Sequence, residues 1–290
     1  EKKEEEKKEK KNETKKGEEE GKVSSRDADL GTNNLTISAF TAITNLTLQG
    51  AGNISIAGPS DLTATLTVVN SAATTVTGTL QVANLTLQDT TGTIEFQDNL
   101  TVTAGMSTNA NAFAVSIIGG TNSIAGATTF SNTGAVTFGD GAGDSTTFTG
   151  GVDSSASPSV TNLAGTIATS GDTDLDIGVS SLDANTTLRA DEMSIGGALT
   201  PNGFSLTVEP DETTDAIEIG GGDGTPVADE LAFTSGDIGN LGDGFSALTF
   251  GIAATGAHAI TVDVGGVTFT DPGTIQAPAG VGAISVDGQI

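Results

Sequence analysis

The chain has 290 residues, 40 of them glycine, with no cysteine, tryptophan or tyrosine, and its formal net charge is -26. Without cysteine it has no disulfides and no thiolate metal ligands. The first 26 residues contain ten of the eleven Lys and Arg together with nine Glu, whereas residues 27–290 contain 28 acidic residues and Arg189 as their single basic residue. A body with one cation cannot neutralise phosphates, so we expect no nucleic-acid partner.

Residues 1–26 are predicted to be a Lys/Glu-rich leader, disordered or helical. Almost no apolar residue occurs between Glu1 and Lys22, so this segment cannot pack a core. The sequence contains no run of about 20 apolar residues, and no transmembrane segment is predicted. Residues 27–290 are interpreted as a fragment of a longer repeat array, because the chain stops at Ile290 within a strand-like pattern.

From Leu35 onward, apolar residues occur in pairs separated by one residue, about nine residues apart. This period of two is typical of short strands with one face buried. Gly, Asn, Asp and Ser fill the intervals as turn formers, which leaves little room for helices. The pairs are Leu35/Ile37, Leu46/Leu48, Ile54/Ile56, Leu66/Val68, Leu80/Val82, Leu85/Leu87, Ile94/Phe96 and Leu100/Val102.

A weak internal repeat accompanies these strands. The pentapeptide NLTLQ at residues 45–49 recurs at residues 84–88. In a coil of stacked rungs, an Asn in a left-handed turn can bond the Asn of the rung above. The Asn-Leu-Thr triplets also match the glycosylation pattern, but the turns explain them without it.

The pattern predicts an all-β fold, a right-handed parallel β-helix (solenoid). A row of β-sandwiches is the alternative, but sandwiches need longer strands, large aromatic core residues and hairpin turns. Asn-Gly occurs once in the body, at Asn202 and Gly203. The predicted core comprises Leu46, Leu48, Leu85, Leu87, Ile94, Phe96, Leu206, Val208, Ile217, Ile219, Phe250, Ile260, Val262, Phe269 and Ile275.

Three segments in the last third carry a family resemblance: residues 243–251 (DGFSALTFG), 256–262 (GAHAITV) and 267–278 (VTFTDPGTIQAP). They resemble a module of the filamentous-haemagglutinin-like surface proteins, the giant β-strand-repeat adhesins of bacteria. The resemblance implies a passenger segment of a secreted β-helical fibre, exported by a partner pore or its own translocator. It implies no catalytic residues.

Parallel β-helices also include polysaccharide lyases and galacturonases, so the fold class alone is compatible with enzymatic activity. A lyase needs a basic residue to take the sugar's proton, and the body offers only Arg189. A glycoside hydrolase needs two converging carboxylates and usually aromatic platforms, and tryptophan and tyrosine are absent. We therefore predict that the chain is not an enzyme.

Two groups of aspartates are candidate calcium ligands, and no other cofactor is predicted. Asp140 and Asp144 lie among glycines that let backbone carbonyls turn toward an ion. Asp172, Asp174 and Asp176 are predicted on the outer face of one strand, about 7 Å apart. Neither Gly-rich segment (139–144 or 220–224) fits the calcium nonapeptide, so weak sites of about millimolar affinity are expected.

Two further features are interpreted structurally. His258 is the only histidine, and an exposed strand or turn position is expected for it. Threonine rows such as Thr63, Thr65 and Thr67 could form an ice-binding face, but in sequence they fade beyond Thr103. Threonine is common at exposed strand positions, so we predict no such face.

These observations predict an extracellular or cell-surface segment of a bacterial scaffold or adhesin. Its partner would be a host or neighbouring-cell surface, a glycan or matrix. One alternative is a surface-layer or matrix protein without a dedicated receptor. A carbohydrate-active β-helix is the less favoured alternative.

Overall fold

The computed structural model describes residues 26–29, 31–41, 43–221, 230–254, 256–278 and 282–290. These residues form a parallel β-solenoid of about 11 turns, which confirms the predicted all-β, β-helical class. Residues 1–25 of the predicted leader lie outside the described residues. In the part of the chain that is described, no helix has the length and hydropathy needed to cross a membrane.

The strands form three faces, called A, B and C here, and each regular rung contributes one strand segment to each face. Face A consists of β2 (Leu35–Ile37), β4 (Asn53–Ile56), β6 (Ala73–Val76), β8 (Thr93–Phe96), β10 (Ala114–Ile117), β13 (Val136–Phe138), the first parts of β16 (Thr161–Thr169) and β18 (Ser180–Arg189), and β20 (Leu199–Thr200). All its ladders are parallel, because each rung returns to the same face in the same direction.

Face B follows face A along each rung. It consists of the first parts of β5 (Ser60–Asn70), β7 (Leu80–Leu87) and β9 (Leu100–Thr108), then β11 (Thr121–Ile124), β14 (Ser145–Phe148), the second parts of β16 and β18, β21 (Ser205–Glu209), β24 (Ala247–Phe250) and β26 (Gly273–Ile275). Face B therefore extends to the C-terminal rung.

Face C completes each rung. It consists of β1 (Arg26–Asp29), β3 (Ile43–Gln49), the second parts of β5, β7 and β9, then β12 (Thr128–Thr129), β15 (Val152–Ser154), β17 (Asp174–Ile177), β19 (Glu192–Ile195), β23 (Glu230–Phe233), β22 (Ala216–Ile219), β25 (Ala259–Val262) and β27 (Ala283–Val286). Here β23 lies between β19 and β22, which is out of chain order.

The register gives the length of a rung. Leu46, Leu66, Leu85 and Met106 are successive partners, so the first rungs contain about 20 residues each, at the short end of the range for stacked repeats. The recurrence of NLTLQ at residues 45–49 and 84–88 therefore spans two rungs. In the same rungs the ladders shift register between Leu62 and Thr65, and bulges of this kind turn the chain from face B to face C.

Asparagine side chains link neighbouring rungs, although not in the predicted way. Four of them accept a hydrogen bond at Oδ1 from a backbone N–H of the next rung, rather than from the amide side chain of another asparagine. Asn202, with φ 53°, is the only non-glycine residue with positive φ among the described residues. The bridging pairs are Asn34 with Asn53 N (2.9 Å), Asn45 with Thr65 N (3.2 Å), Asn99 with Thr121 N (2.9 Å) and Asn185 with Ser205 N (3.1 Å).

The inward side chains stack into a continuous apolar core. Thirteen of the fifteen predicted core residues are buried, whereas Phe269 and Ile275 are only partly buried. Those two residues belong to the last rungs, where fewer side chains cover them. Elsewhere large rings fill the interior: Phe130, Phe138 and Phe148 meet edge to face with centroids 5.2 to 6.4 Å apart.

One short helix, α1 (Ser235–Asn240), interrupts the regular winding after β23. Thr234 caps its N-terminus, and Asp237 closes the reciprocal capping box. The other carboxylate oxygen of Asp237 accepts a hydrogen bond from Ile195 N (2.6 Å), which holds α1 against β19. The extra strand and helix explain why Leu206 pairs with Leu248, about two rung lengths further along.

Candidate functional site

The predicted pair Asp140 and Asp144 lies in the turn between β13 and β14. Asp144 Oδ2 accepts hydrogen bonds from the N–H groups of Asp140 and Gly141, both at 2.8 Å. Burial raises the pKa of Asp140, and the hydrogen bond and negative charge of Asp144 raise it further. The two carboxylates are thus brought together, but one Asp144 oxygen already closes the turn.

The second predicted group is arranged differently from the prediction. β17 begins at Asp174, so Asp172 lies in the preceding turn and not on the same strand as Asp174 and Asp176. The prediction failed there because the glycine at position 171, with φ 63°, turns the chain before the strand starts. Asp174 and Asp176 do point outward, alternating with buried Leu175 and Ile177.

The stacking of β15 on β17 brings a carboxylate that is distant in sequence next to Asp174 and Asp176. Asp153 on β15 is the register partner of Asp176, and both line a shallow pocket of about 250 Å³ together with Asp172 and Asp174. Burial raises the pKa of Asp176, with further contributions from Asp153, Asp174 and Asp237. Face C therefore carries an acidic patch that a linear reading of the sequence does not group.

Glu192 is the most perturbed carboxyl group in this region. It is the register partner of Asp174 on the neighbouring strand. Burial raises its pKa to about 7, and repulsion from Asp191, Asp174 and Glu230 contributes. Within the described residues its Oε1 atom is buried without a hydrogen-bond partner. Glu192 therefore takes up its proton at a higher pH than an ordinary glutamate does.

A compact group of three carboxylates lies next to it. Oxygen atoms of Asp191, Asp211 and Asp215 lie within 4.8 Å of one another, and Asp191 and Asp215 are each only 4% exposed. Burial raises the pKa of Asp211 to about 6, followed by the hydrogen bond and charge of Asp215 and the charge of Asp191. A proton on Asp211 forms a hydrogen bond to Asp215 and relieves the repulsion.

The sequence prediction missed this group. Asp191 and Asp211 are separated by one rung, and Asp215 is brought back by a turn whose N–H at Glu212 bonds its carboxylate (3.1 Å). To predict from sequence that Asp191 and Asp211 lie side by side, one would need to know the number of residues in this rung. Three oxygens are at most half of the six to eight that calcium requires, so the geometry supports a hydrogen bond between carboxyl groups more directly than ion binding.

His258 occupies a position opposite to the predicted one. It is fully buried, not exposed, because it continues the inward column of β25 two residues before Ile260. Its Nε2 accepts a hydrogen bond from Ile252 N–H at 3.2 Å and lies 3.3 Å from the Gln276 carbonyl. His258 therefore connects the turn after β24 to the end of β26, which is a structural role.

Arg189 forms an ion pair, although its side chain is 41% exposed. Its guanidinium donates to Glu209 Oε2 from Nε (3.2 Å) and also from Nη2, and the two residues are register partners on β18 and β21. The ion pair neutralises the only basic residue of the body. Its charge is directed along face B rather than into a cleft.

Hydroxyl side chains form ladders that the sequence prediction did not detect. The expectation that threonine rows fade beyond Thr103 is wrong, because the members of a row lie one rung apart and not at alternate positions of one strand. On face B seven rungs place a hydroxyl outward in one column: Thr121, Ser145, Thr166, Thr187, Thr207, Thr249 and Thr274. The middle column of face A runs Thr36, Ser55, Thr75, Glu95, Ser116, Thr137, Asn162, Ser181 and Thr200.

The chain matches no protein-family model, no curated protein and no solved structure. The fold class therefore rests on the register and burial of the chain itself. Its function has to be argued from the distribution of side chains over the three faces.

The calcium prediction is tested by thermal unfolding. We expect calcium at about ten times a millimolar Kd to stabilise the chain by about 1.4 kcal/mol relative to sodium chloride of the same ionic strength. Asp140→Asn is expected to reduce this stabilisation, because it removes a ligand without breaking the turn that Asp144 closes. Asp98→Asn, a change of the same kind in an unrelated turn, is the control. Identical melting temperatures in both salts would contradict the prediction.

Proposed function

We propose that residues 27–290 are a non-catalytic segment of a secreted or cell-surface scaffold of bacterial adhesin type, as the filamentous-haemagglutinin-like resemblance suggests. The segment holds its side chains on a rod of about 11 turns, roughly 50 Å long at about 4.8 Å per rung. Such a rod holds whatever is attached at its two ends apart by a fixed distance, and it presents the same side-chain types at regular intervals along its length. Both properties suit an extended surface protein.

One observation carries the proposal: the hydroxyl column of face B is uncharged, with the Arg189–Glu209 ion pair beside it, whereas acidic side chains cluster on face C. The hydroxyl column of face B contains seven Thr and Ser residues and no charged residue. Acidic side chains collect instead on face C, at Asp153, Asp174, Asp176 and Glu192. A polymer approaching face B meets repeated hydrogen-bonding groups without crossing the most acidic surface.

A neutral glycan or a glycosylated matrix is the ligand class that fits this face. Sugar hydroxyls both donate and accept hydrogen bonds, as threonine hydroxyls do. The regular spacing gives an extended polymer many equivalent weak contacts, so affinity would come from multivalency. A polyanion is a poorer match, since residues 27–290 carry 28 acidic residues and one basic residue.

The test is binding of the full chain to a glycan array and to immobilised matrix. Thr207→Lys inserts a bulky charge in the middle of the face B column and is expected to weaken binding at least about tenfold. Thr261→Lys makes the same change on face C, at an outward position of β25, and is expected to leave binding unchanged. Equal loss in both variants would contradict the role of face B.

The same assays separate the alternatives. A folded chain without glycan or matrix binding would support a surface-layer or matrix protein that has no dedicated receptor. Release of reducing or unsaturated sugar from a polysaccharide would instead support a carbohydrate-active β-helix. Either result would replace the adhesin proposal.

A further inference from the structure

The hydroxyl column of face B runs along the axis of the rod, and this direction limits how a polymer can lie on it. Each rung contributes one hydroxyl between Thr121 and Thr274, so the seven hydroxyls cover about 30 Å at about 4.8 Å per rung. Across the rod, β11 presents only two outward side chains, Thr121 and Ser123. An oligosaccharide longer than the width of one strand therefore has to follow the axis.

A second outward column lies beside the first on face B. The Arg189–Glu209 ion pair occupies two of its rungs. The rungs before the ion pair are uncharged in this column, where successive register partners are Thr101, Ser123, Thr147 and Ala168. The neutral part of face B is therefore widest on the rungs that contain β11, β14 and the second part of β16.

A groove of about 390 Å³ continues this surface toward the N-terminal rungs. Thr79, Asn99, Gln81 and Thr101 are among its lining residues, and Asp61 is the only charged one. Gln81 and Thr101 are register partners, and Thr101 is in turn the partner of Ser123. The groove and the two columns therefore form one continuous strip of amide and hydroxyl groups.

The side chains of this strip are held rigidly. Parallel ladders flank each face B strand from β11 to β24 on both sides, and the β-branched threonine side chain has few rotamers. A rigid array loses little entropy on binding, but it favours a ligand whose own repeat matches the rung spacing.

The strip also determines which part of a sugar it can contact. The chain has no tryptophan or tyrosine, and the face B phenylalanines, Phe148 and Phe250, are buried. Within the described part of face B, no aromatic platform is therefore available for stacking under a pyranose ring. The ligand has to be contacted through hydroxyl groups at its edge.

We propose that face B binds an extended, uncharged β-1,4-linked glycan that lies along the rod axis with about one sugar residue per rung. The two glycosidic bonds of such a residue leave from opposite ends of the ring, so the polymer is a straight ribbon. Its advance per residue is close to the spacing of neighbouring strands, and its hydroxyls line the two edges of the ribbon. An α-1,4-linked glycan of the same sugar coils, so its successive residues turn away from a straight column. This inference rests on the proposed function and specifies its ligand.

The test compares two series of glucose oligomers that differ only in linkage. The full chain is titrated calorimetrically with β-1,4-linked and with α-1,4-linked oligomers of equal length, from dimer to hexamer. Affinity for the β-linked series is expected to rise at least about tenfold from dimer to hexamer, because each added residue contacts a further rung. The α-linked hexamer is expected to bind at least about tenfold more weakly than the β-linked hexamer.

Two variants locate the bound ligand. Thr147→Lys inserts a long charged side chain into the neutral strip and is expected to weaken binding of the β-linked hexamer at least about tenfold. Thr75→Lys makes the same change at an outward, equally half-buried position of β6 on face A, and is expected to leave binding unchanged. Thermal unfolding verifies that both variants are folded, and the linkage comparison on the parent chain does not depend on them.

The outcomes distinguish this inference from the proposed function. Equal affinity for the two linkages, no increase with oligomer length, or a loss in Thr75→Lys as large as that in Thr147→Lys overturns the inference. If neither series binds while other glycans or matrix bind in a manner that Thr207→Lys weakens, the inference fails and the proposed function stands. If no glycan and no matrix binds, both fail.

Discussion

Replacing Leu87 with aspartate is expected to lower the free energy of unfolding by about 4 kcal/mol. Leu87 is fully buried in the inward column of face C, between its register partners Val68 and Thr108. A carboxylate at this position loses its hydration without gaining a partner. Because each rung contacts its neighbours on both sides, the damage spreads along the rod.

The adjacent Gln88 provides the control for this change. Its side chain is only partly buried, and its contacts with the neighbouring rungs are made by the backbone: Gln88 N donates to Val68 O of the preceding rung (2.8 Å), and Gln88 O accepts from Asn111 Nδ2 of the next (2.7 Å). Gln88→Asp keeps both bonds and is expected to cost less than about 1 kcal/mol. Urea unfolding of both variants measures the difference. If the two substitutions cost the same, the division into inward and outward residues is wrong.

Stability is expected to increase as the pH is lowered from about 8 to about 5. In the folded chain the pKa of Glu192 is about 7 and that of Asp211 about 6, against ordinary values of 4.5 and 3.8. Both pKa values are raised, so the folded state binds more protons than the unfolded state between about pH 4 and pH 7. Their contribution is fully present below pH 4 and is lost as the pH rises through 6 and 7.

Screening by solvent limits how much the free energy of unfolding changes with pH. Both carboxyl groups are only partly buried, so we discount the full conversion of their pKa shifts and expect about 2 kcal/mol between pH 8 and pH 5. Melting temperatures measured across that range test the prediction. The range ends above the isoelectric point of about 4.1, where solubility would interfere.

A double variant assigns the effect to these residues. Glu192→Gln with Asp211→Asn removes both titrating groups and is expected to flatten the pH dependence, while raising stability at pH 8. Asp89→Asn with Asp243→Asn removes two charges elsewhere on the rod and is expected to keep most of the slope. A parent slope of the opposite sign would show that the carboxylates are solvated.

Protonation and calcium binding are expected to compete at the group of three carboxylates formed by Asp191, Asp211 and Asp215. A proton on Asp211 and a divalent cation would each lower the negative charge of the group formed by Asp191, Asp211 and Asp215, so each is expected to reduce the effect of the other. Calcium stabilisation that is larger at pH 8 than at pH 5 would indicate that ions enter this group. Equal stabilisation at both pH values would assign calcium to the exposed aspartates instead.

The sequence by itself determined the fold class. Apolar residues at i and i+2 with turn formers between them predict short strands, and the core that follows from them is buried at 13 of 15 positions. This information is local, since the side-chain alternation of a strand depends only on neighbouring residues. The recurrence of NLTLQ was also visible, although it did not reveal that two rungs separate the copies.

The tertiary structure alone decided which distant residues meet. The pairing of Asp153 with Asp176, the group formed by Asp191, Asp211 and Asp215, and the hydroxyl column of face B all depend on register. Rung length is not constant, since the rung from Leu66 to Leu85 is shorter than the rung from Val136 to Thr161. A shift of one residue turns each side chain to the opposite face, so these groups emerge only when the turns and bulges fix the register.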